Sequence, residues 1–83
     1  MTSDEFNEKY AQYLGESHYG MAFDNEEIIA LCDEYFQNWI DRPGFKYYQI
    51  KSKFGLSRVY CDKVDTTLLE NKINKIMKKW AGD

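Results

Sequence analysis

The stretch Phe45–Asp62, FKYYQIKSKFGLSRVYCD, constrains the fold more than any other part of the chain. Two runs rich in aromatic and β-branched residues flank Gly55-Leu56, and glycine at the first central position suits a two-residue type II′ turn. The pattern therefore predicts an antiparallel hairpin, with strands over Tyr47–Phe54 and Ser57–Val64.

Side chains alternate along a strand, so the predicted hairpin has two different faces. One face is largely apolar and carries Tyr48, Ile50, Phe54, Val59 and Cys61. The other is cationic between tyrosines, and we expect it to bind a partner through Tyr47, Lys51, Lys53, Arg58 and Tyr60. The predicted turn sets Lys53 opposite Arg58, which is unfavourable by up to about 1 kcal/mol unless an anion lies between them. Alternatively, the chain's own helices or a second copy cover this face.

Charge is distributed unevenly on the two sides of Asp41. Residues 1–41 hold ten acids and one base, net −9, whereas residues 42–83 hold four acids and ten bases, net +6, which together give the chain's −3. Either the two halves neutralise each other across the folded domain, or the polarity serves association with a partner.

Helical spacing of apolar residues predicts three helices around the hairpin. The first follows a capping box at Thr2 and covers Ser3–Leu14, the second follows a start signal at Asp24 and ends near Ile40, and the third covers Leu68–Trp80. The intervening Glu16–Phe23 is predicted to be a loop, with His18 at the surface. The resulting order, α-α-β-β-α, indicates a single α+β domain over residues 1–83, in which a two-stranded antiparallel hairpin packs against amphipathic helices.

The second predicted helix also carries a row of acids. Residues three, four or seven positions apart share a helix face, so these acids can lie in one stripe: Glu26, Asp33, Glu34 and Asp41. A solvated surface is one interpretation of the stripe. The other is a possible acidic docking face, which binds a basic partner surface or imitates a phosphate backbone.

Several function classes lack their sequence signatures. Cys32 and Cys61 fall outside any CxxC spacing, so we expect reduced thiols rather than a zinc or redox site. A Gly-rich phosphate loop, a metal-ligand cluster and a nucleophile-base pair are all missing, so we expect neither an enzyme nor a cofactor. The first residues, MTSDEFNEKY, resemble no secretory signal, and apolar runs are short, which favours a soluble cytoplasmic protein without a membrane segment.

The run Tyr48-Gln49-Ile50-Lys51-Ser52-Lys53-Phe54-Gly55, followed by Arg58-Val59-Tyr60, resembles a segment of many small uncharacterised bacteriophage proteins. Their pattern is Q-[IV]-K-x-K-F-G-x-L-R-x-Y, between two helices. This chain departs from it at Ser57, where the similar proteins usually carry leucine. The resemblance implies a viral origin and a non-enzymatic accessory role, and it brings no catalytic residues.

Two functions remain open at this point. The first is a small phage-type interaction protein, monomer or homodimer, that binds a host or viral protein and modulates or inhibits it. The alternative is a nucleic-acid-binding module, since cationic side chains beside aromatic rings suit phosphate pairing and base stacking. The net negative charge and the lack of a known nucleic-acid-binding motif argue against the alternative.

Overall fold

The computed structural model describes residues 1–16 and 19–81, which form three α-helices and a three-stranded sheet. The elements are α1 (Ser3–Lys9), β1 (Gly20–Met21), α2 (Glu26–Trp39), β2 (Lys46–Lys53), β3 (Leu56–Asp62) and α3 (Thr67–Trp80), with a 3-10 turn over Ala11–Tyr13. The predicted α+β class is confirmed, and the order of helices and hairpin roughly fits. His18, predicted to be a surface residue, lies outside the described residues.

The sheet contains a strand that the sequence pattern missed. β1 pairs in parallel with β2, with Gly20 opposite Gln49 and Met21 opposite Ile50, whereas β2 and β3 pair antiparallel. The strand order is β1-β2-β3, so the sheet is mixed and the prediction of a two-stranded hairpin is wrong. β1 lies in the segment that was predicted to be a loop. The sequence pattern does not reveal this strand, because two residues are too few to show a strand period.

The helix boundaries also differ from those predicted. The capping box of α1 is present, with the Glu5 N–H donating to Thr2 Oγ1 at 3.1 Å, but the helix ends at Lys9 instead of Leu14. α2 is capped by Asn25 rather than Asp24, since the Asn25 side chain accepts from two N–H groups of the first turn. The cap signals therefore located the starts of α1 and α2 closely, whereas the predicted end of α1 is five residues too late.

The outer edge of β1 is paired with a side chain of α1. Asn7 Oδ1 accepts from the Met21 N–H at 2.8 Å, and Asn7 Nδ2 donates to the Met21 carbonyl at 3.4 Å. Gly20 has φ 70°, and a Cβ added there would lie 2.4 Å from Asn7 Oδ1. Only glycine therefore permits both this backbone conformation and this close approach.

The outer edge of β3 is paired with side chains of α3. The Ser57 N–H donates to Asn74 Oδ1 at 2.7 Å, and the Val59 N–H donates to Glu70 Oε2 at 2.8 Å. Side chains of α1 and α3 thus occupy strand-pairing positions at both edges of the sheet. This arrangement blocks the edge-to-edge pairing that exposed strands invite.

The core lies between the helices and one face of the sheet, around the ring of Phe36. Its centroid lies 5.0 Å from that of Phe6, 5.0 Å from that of Tyr10 and 5.1 Å from that of Tyr47. Aliphatic side chains of the sheet and α3, including Ile50 and Ile73, complete this core at 0% exposure. Aromatic contacts of this kind stabilise the fold by more than the burial of their apolar surface alone.

The two cysteines are free thiols, with Cys32 buried and Cys61 half-buried. Burial raises the pKa of each thiol to about 12. Both groups are therefore protonated at neutral pH and poorly nucleophilic, in line with the expectation of reduced, inert thiols.

Candidate partner-binding site

The hairpin turn lies one residue earlier than predicted. Its central residues are Phe54 and Gly55, with φ 55° and 78°, and positive φ at both positions is the signature of a type I′ turn. The register then pairs Lys51 with Arg58, while Lys53 faces Leu56. The prediction that Lys53 opposes Arg58 is wrong, but a like-charge pair exists one step further from the turn.

A β-bulge between Tyr47 and Gln49 reverses the predicted positions of two tyrosines. Tyr47 pairs with Cys61 and is 0% exposed, so its prediction as a residue of the partner-binding face is wrong. Tyr48 was predicted to face the core, and it instead lines a surface depression beside Gln49. The extra residue of a bulge re-aims side chains in this way, and alternation alone does not reveal it.

The buried side chain of Tyr47 makes both polar and apolar contacts. Its ring centroid lies 5.9 Å from that of Phe6, and its hydroxyl donates to Asn7 Oδ1 at 3.1 Å. Burial raises the pKa of this hydroxyl to about 12. Tyr47 is therefore a neutral structural residue that joins β2 to α1.

The sheet face opposite the core carries the remaining predicted site residues. We call it the open face, and it consists of Gln49, Lys51, Lys53, Leu56, Arg58 and Tyr60. Lys53, Leu56 and Tyr60 are exposed, whereas the other three are half-buried. A depression of ≈ 470 Å³ on this face is lined by Tyr48, Gln49, Lys51 and Tyr60.

Three cations of the open face, Lys51, Lys53 and Arg58, form what we call the basic strip. Within residues 1–16 and 19–81, none of them forms an ion pair with a carboxylate. The Arg58 guanidinium donates to the Ser57 carbonyl at 3.2 Å, and Lys53 Nζ lies 5.7 Å from the centroid of the Phe54 ring. No carboxylate of the described chain therefore neutralises the positive charge of the basic strip by direct contact.

The acidic and basic halves of the chain meet at one ion pair in the described residues. Lys79 Nζ lies 3.5 Å from Glu27 Oε1, and the other ion pair, Lys9 with Asp33 at 2.8 Å, falls within the acidic half. Direct pairing thus neutralises little of the charge asymmetry.

The acids of the possible docking face have different environments. Glu26, Glu34 and Asp41 are exposed, whereas Asp33 accepts hydrogen bonds from Lys9 Nζ and the Tyr10 hydroxyl. Burial acts to raise the pKa of Asp33, but these hydrogen bonds outweigh it and hold the pKa below its ordinary value. Asp33 thus joins α1 to α2, and the other acids remain on the surface.

Sequence reasoning missed two residues of this surface, Tyr48 and Leu56. The position of Tyr48 requires knowledge of the bulge, for which the sequence has no local signal. Leu56 could have been placed correctly, because glycine at the second central position is typical of type I′ hairpins and would have moved the turn to Phe54-Gly55.

Neither a metal site nor a membrane-spanning helix is found among the described residues. No group of three His, Cys, Asp or Glu side chains in that part of the chain could hold a metal ion. No helix among them has the length and hydropathy needed to cross a membrane. Comparisons with protein-family models, with curated proteins and with solved structures gave no match.

Proposed function

We propose that this chain is a small interaction module that binds an acidic protein surface through its open face. The observation that carries the proposal is the cross-strand pair of Lys51 and Arg58, which has no carboxylate partner among the described residues. Like charges held opposite each other on a sheet repel. A carboxylate of the partner placed between them removes that repulsion and forms charge-assisted hydrogen bonds.

The shape of the molecule supports a partner that lies on the sheet face. Both sheet edges are paired with helix side chains, Asn7 at β1 and the pair Asn74 and Glu70 at β3. Strand addition to an edge is therefore disfavoured. The depression beside Lys51 and Tyr60 can receive a partner side chain, because it combines aromatic walls with an amide and an ammonium group.

A nucleic-acid strand is the second candidate partner. The tyrosines that line the depression, Tyr48 and Tyr60, can stack on bases while Lys51 pairs with phosphate. The net charge of −9 on residues 1–41 repels a polyanion at a distance, which favours a protein with a localised acidic patch. From the resemblance of the hairpin segment to small bacteriophage proteins, we further propose that the partner is a host or viral protein, which the chain modulates in the host cytoplasm.

The proposal is tested by identifying a partner and measuring its affinity for matched variants. The immobilised chain is used to retain a protein from bacterial lysate, and the purified pair is titrated by calorimetry. Lys51→Ala with Arg58→Ala should weaken binding at least about tenfold and flatten its salt dependence. Lys72→Ala with Lys75→Ala removes the same charge from α3 and should change the affinity less than about twofold.

Two outcomes contradict the proposal. Equal losses in both double variants would mean that only net charge matters. Retention of a single-stranded oligonucleotide at physiological salt, lost in the Lys51 and Arg58 variant, would support the second candidate instead.

A further inference from the structure

Phe54 occupies an unusual backbone position at the tip of the hairpin. Its φ is 55°, in the left-handed region where a bulky side chain is strained, and Asn, Asp or Gly is the usual residue there. Its ring is nonetheless 90% exposed, so burial offsets none of that strain. A strained residue without structural benefit points to a function of the side chain.

A groove lies between the hairpin turn, which contains Phe54 and Gly55, and the last turns of α3. It has a volume of ≈ 430 Å³ and is lined by Gly55, Leu56, Asn74, Met77, Lys78 and Ala81. We call it the tip groove. Leu56 at its margin is 46% exposed, and Met77 is half-buried. The hairpin turn and the tip groove thus expose apolar side chains at this end of the molecule: Phe54, Leu56 and, in part, Met77.

The charges around this surface all have the same sign. Lys78 lines the tip groove, and Lys53 Nζ lies 5.7 Å from the Phe54 ring centroid. No acidic side chain lines the groove. A complementary partner therefore presents apolar side chains flanked by carboxylates.

We propose that the hairpin tip is a second docking surface, which takes an acidic amphipathic helix of a partner protein. Such a helix presents apolar side chains at i and i+4 for Phe54 and the tip groove, with glutamates beside them for Lys53 and Lys78. Aromatic side chains, phenylalanine among them, are enriched at protein–protein interfaces relative to the rest of the surface. The inference rests on the proposed function in one respect, that the partner is a protein.

A second copy of the chain fits this surface poorly. A symmetric contact between two tips brings lysines of both copies together, which is unfavourable. The acidic helices α1 and α2 carry no exposed large apolar side chain, so they lack the apolar half of the required ligand. The occupant is therefore a different protein.

The test uses a labelled synthetic peptide with leucines at i, i+3, i+4 and i+7 and glutamates at most other positions. Its binding to the full chain is measured by fluorescence anisotropy. Phe54→Asn relieves the backbone strain, so the variant should fold with an equal or higher Tm and yet bind the peptide at least about tenfold more weakly. Leu68→Gln removes another exposed apolar side chain, 58% exposed on α3, and should leave the affinity unchanged.

A second peptide, with serine in place of every leucine, separates the tip from the basic strip. We expect it to bind far more weakly than the leucine peptide and to be insensitive to Phe54→Asn. Equal binding of the two peptides, or equal binding of the leucine peptide to wild type and Phe54→Asn, overturns the tip proposal. Loss of binding only in the Lys51 and Arg58 double variant would do the same, while the proposed function stands.

Two further outcomes also decide against the tip proposal. The first is the absence of measurable binding of the leucine peptide to the wild-type chain. The second is a dimer in sedimentation that Phe54→Asn converts to a monomer, since the occupant would then be a second copy.

Discussion

The two faces of the β2–β3 hairpin share one backbone, but their side chains differ in burial and in whether their polar groups have partners. On the core face, Ser57 donates its hydroxyl to the Glu70 carbonyl at 2.9 Å, and Ile50 is 0% exposed against the aromatic core. On the open face, Lys51 and Arg58 lie opposite each other without a carboxylate partner in the described chain. The core face therefore contributes more to stability, and the open face is the one to which we assign the proposed partner binding.

The largest expected difference between the faces concerns Ile50. Ile50→Ala should lower the free energy of unfolding by about 2–5 kcal/mol, because it leaves a cavity beside the ring of Phe36 and its neighbours. Lys53→Ala, on the open face, should change it by less than about 0.5 kcal/mol. Urea unfolding followed by circular dichroism measures both values. Similar losses in the two variants would contradict the assignment of the faces.

A smaller difference is expected between two serines that face each other across the ribbon. Ser57 is 1% exposed and hydrogen-bonded to α3, whereas its cross-strand partner Ser52 is exposed. Ser57→Ala should cost about 1 kcal/mol through the lost hydrogen bond. Ser52→Ala is the control and should be close to neutral. If Ser57→Ala leaves the free energy of unfolding unchanged, α3 holds the β3 edge through its contacts with the backbone N–H groups alone.

The smallest expected effect concerns repulsion on the open face. Lys51→Gln should stabilise the isolated chain by a few tenths of a kcal/mol, because it removes one member of the like-charge pair with Arg58. The gain should shrink as salt is raised. Lys53→Gln is the matched control, since Lys53 faces Leu56 and lacks this opposition. The opposite result would be that Lys51→Gln destabilises the chain and that this loss becomes smaller as salt is raised. It would mean that acids of its own chain neutralise Lys51.

The sequence alone predicted those features that depend on local periodicity. Helical spacing located the three helices, and alternation placed Ile50 and Val59 on one face and Lys51 and Arg58 on the other. Among the apolar residues that these periods place toward the core, Ile50, Val59 and Ile73 are buried, whereas Leu31, Tyr35 and Met77 are half-buried at its margin.

The features that the sequence did not predict depend on contacts between distant parts of the chain. Tyr47 is buried because a bulge turns it toward the helices, and no neighbouring residue signals that bulge. The spacing of Thr67 and Glu70 in the sequence fits a capping box, but the Glu70 carboxylate accepts from the Val59 N–H, and Asp65 caps the Thr67 N–H instead. In both cases tertiary contacts override a local preference.

The short parallel strand β1 affects the order in which the fold assembles. The β2–β3 pairing closes only a two-residue turn, whereas pairing Met21 with Ile50 closes a loop that contains the whole of α2. Closing the longer loop costs more chain entropy, so the hairpin can form early while β1 joins after α2 has docked. The two hydrogen bonds between the Asn7 side chain and the Met21 backbone then hold β1 in register with β2. We expect this two-residue strand to open first in thermal fluctuations, which would expose part of the β2 edge while the hairpin stays paired.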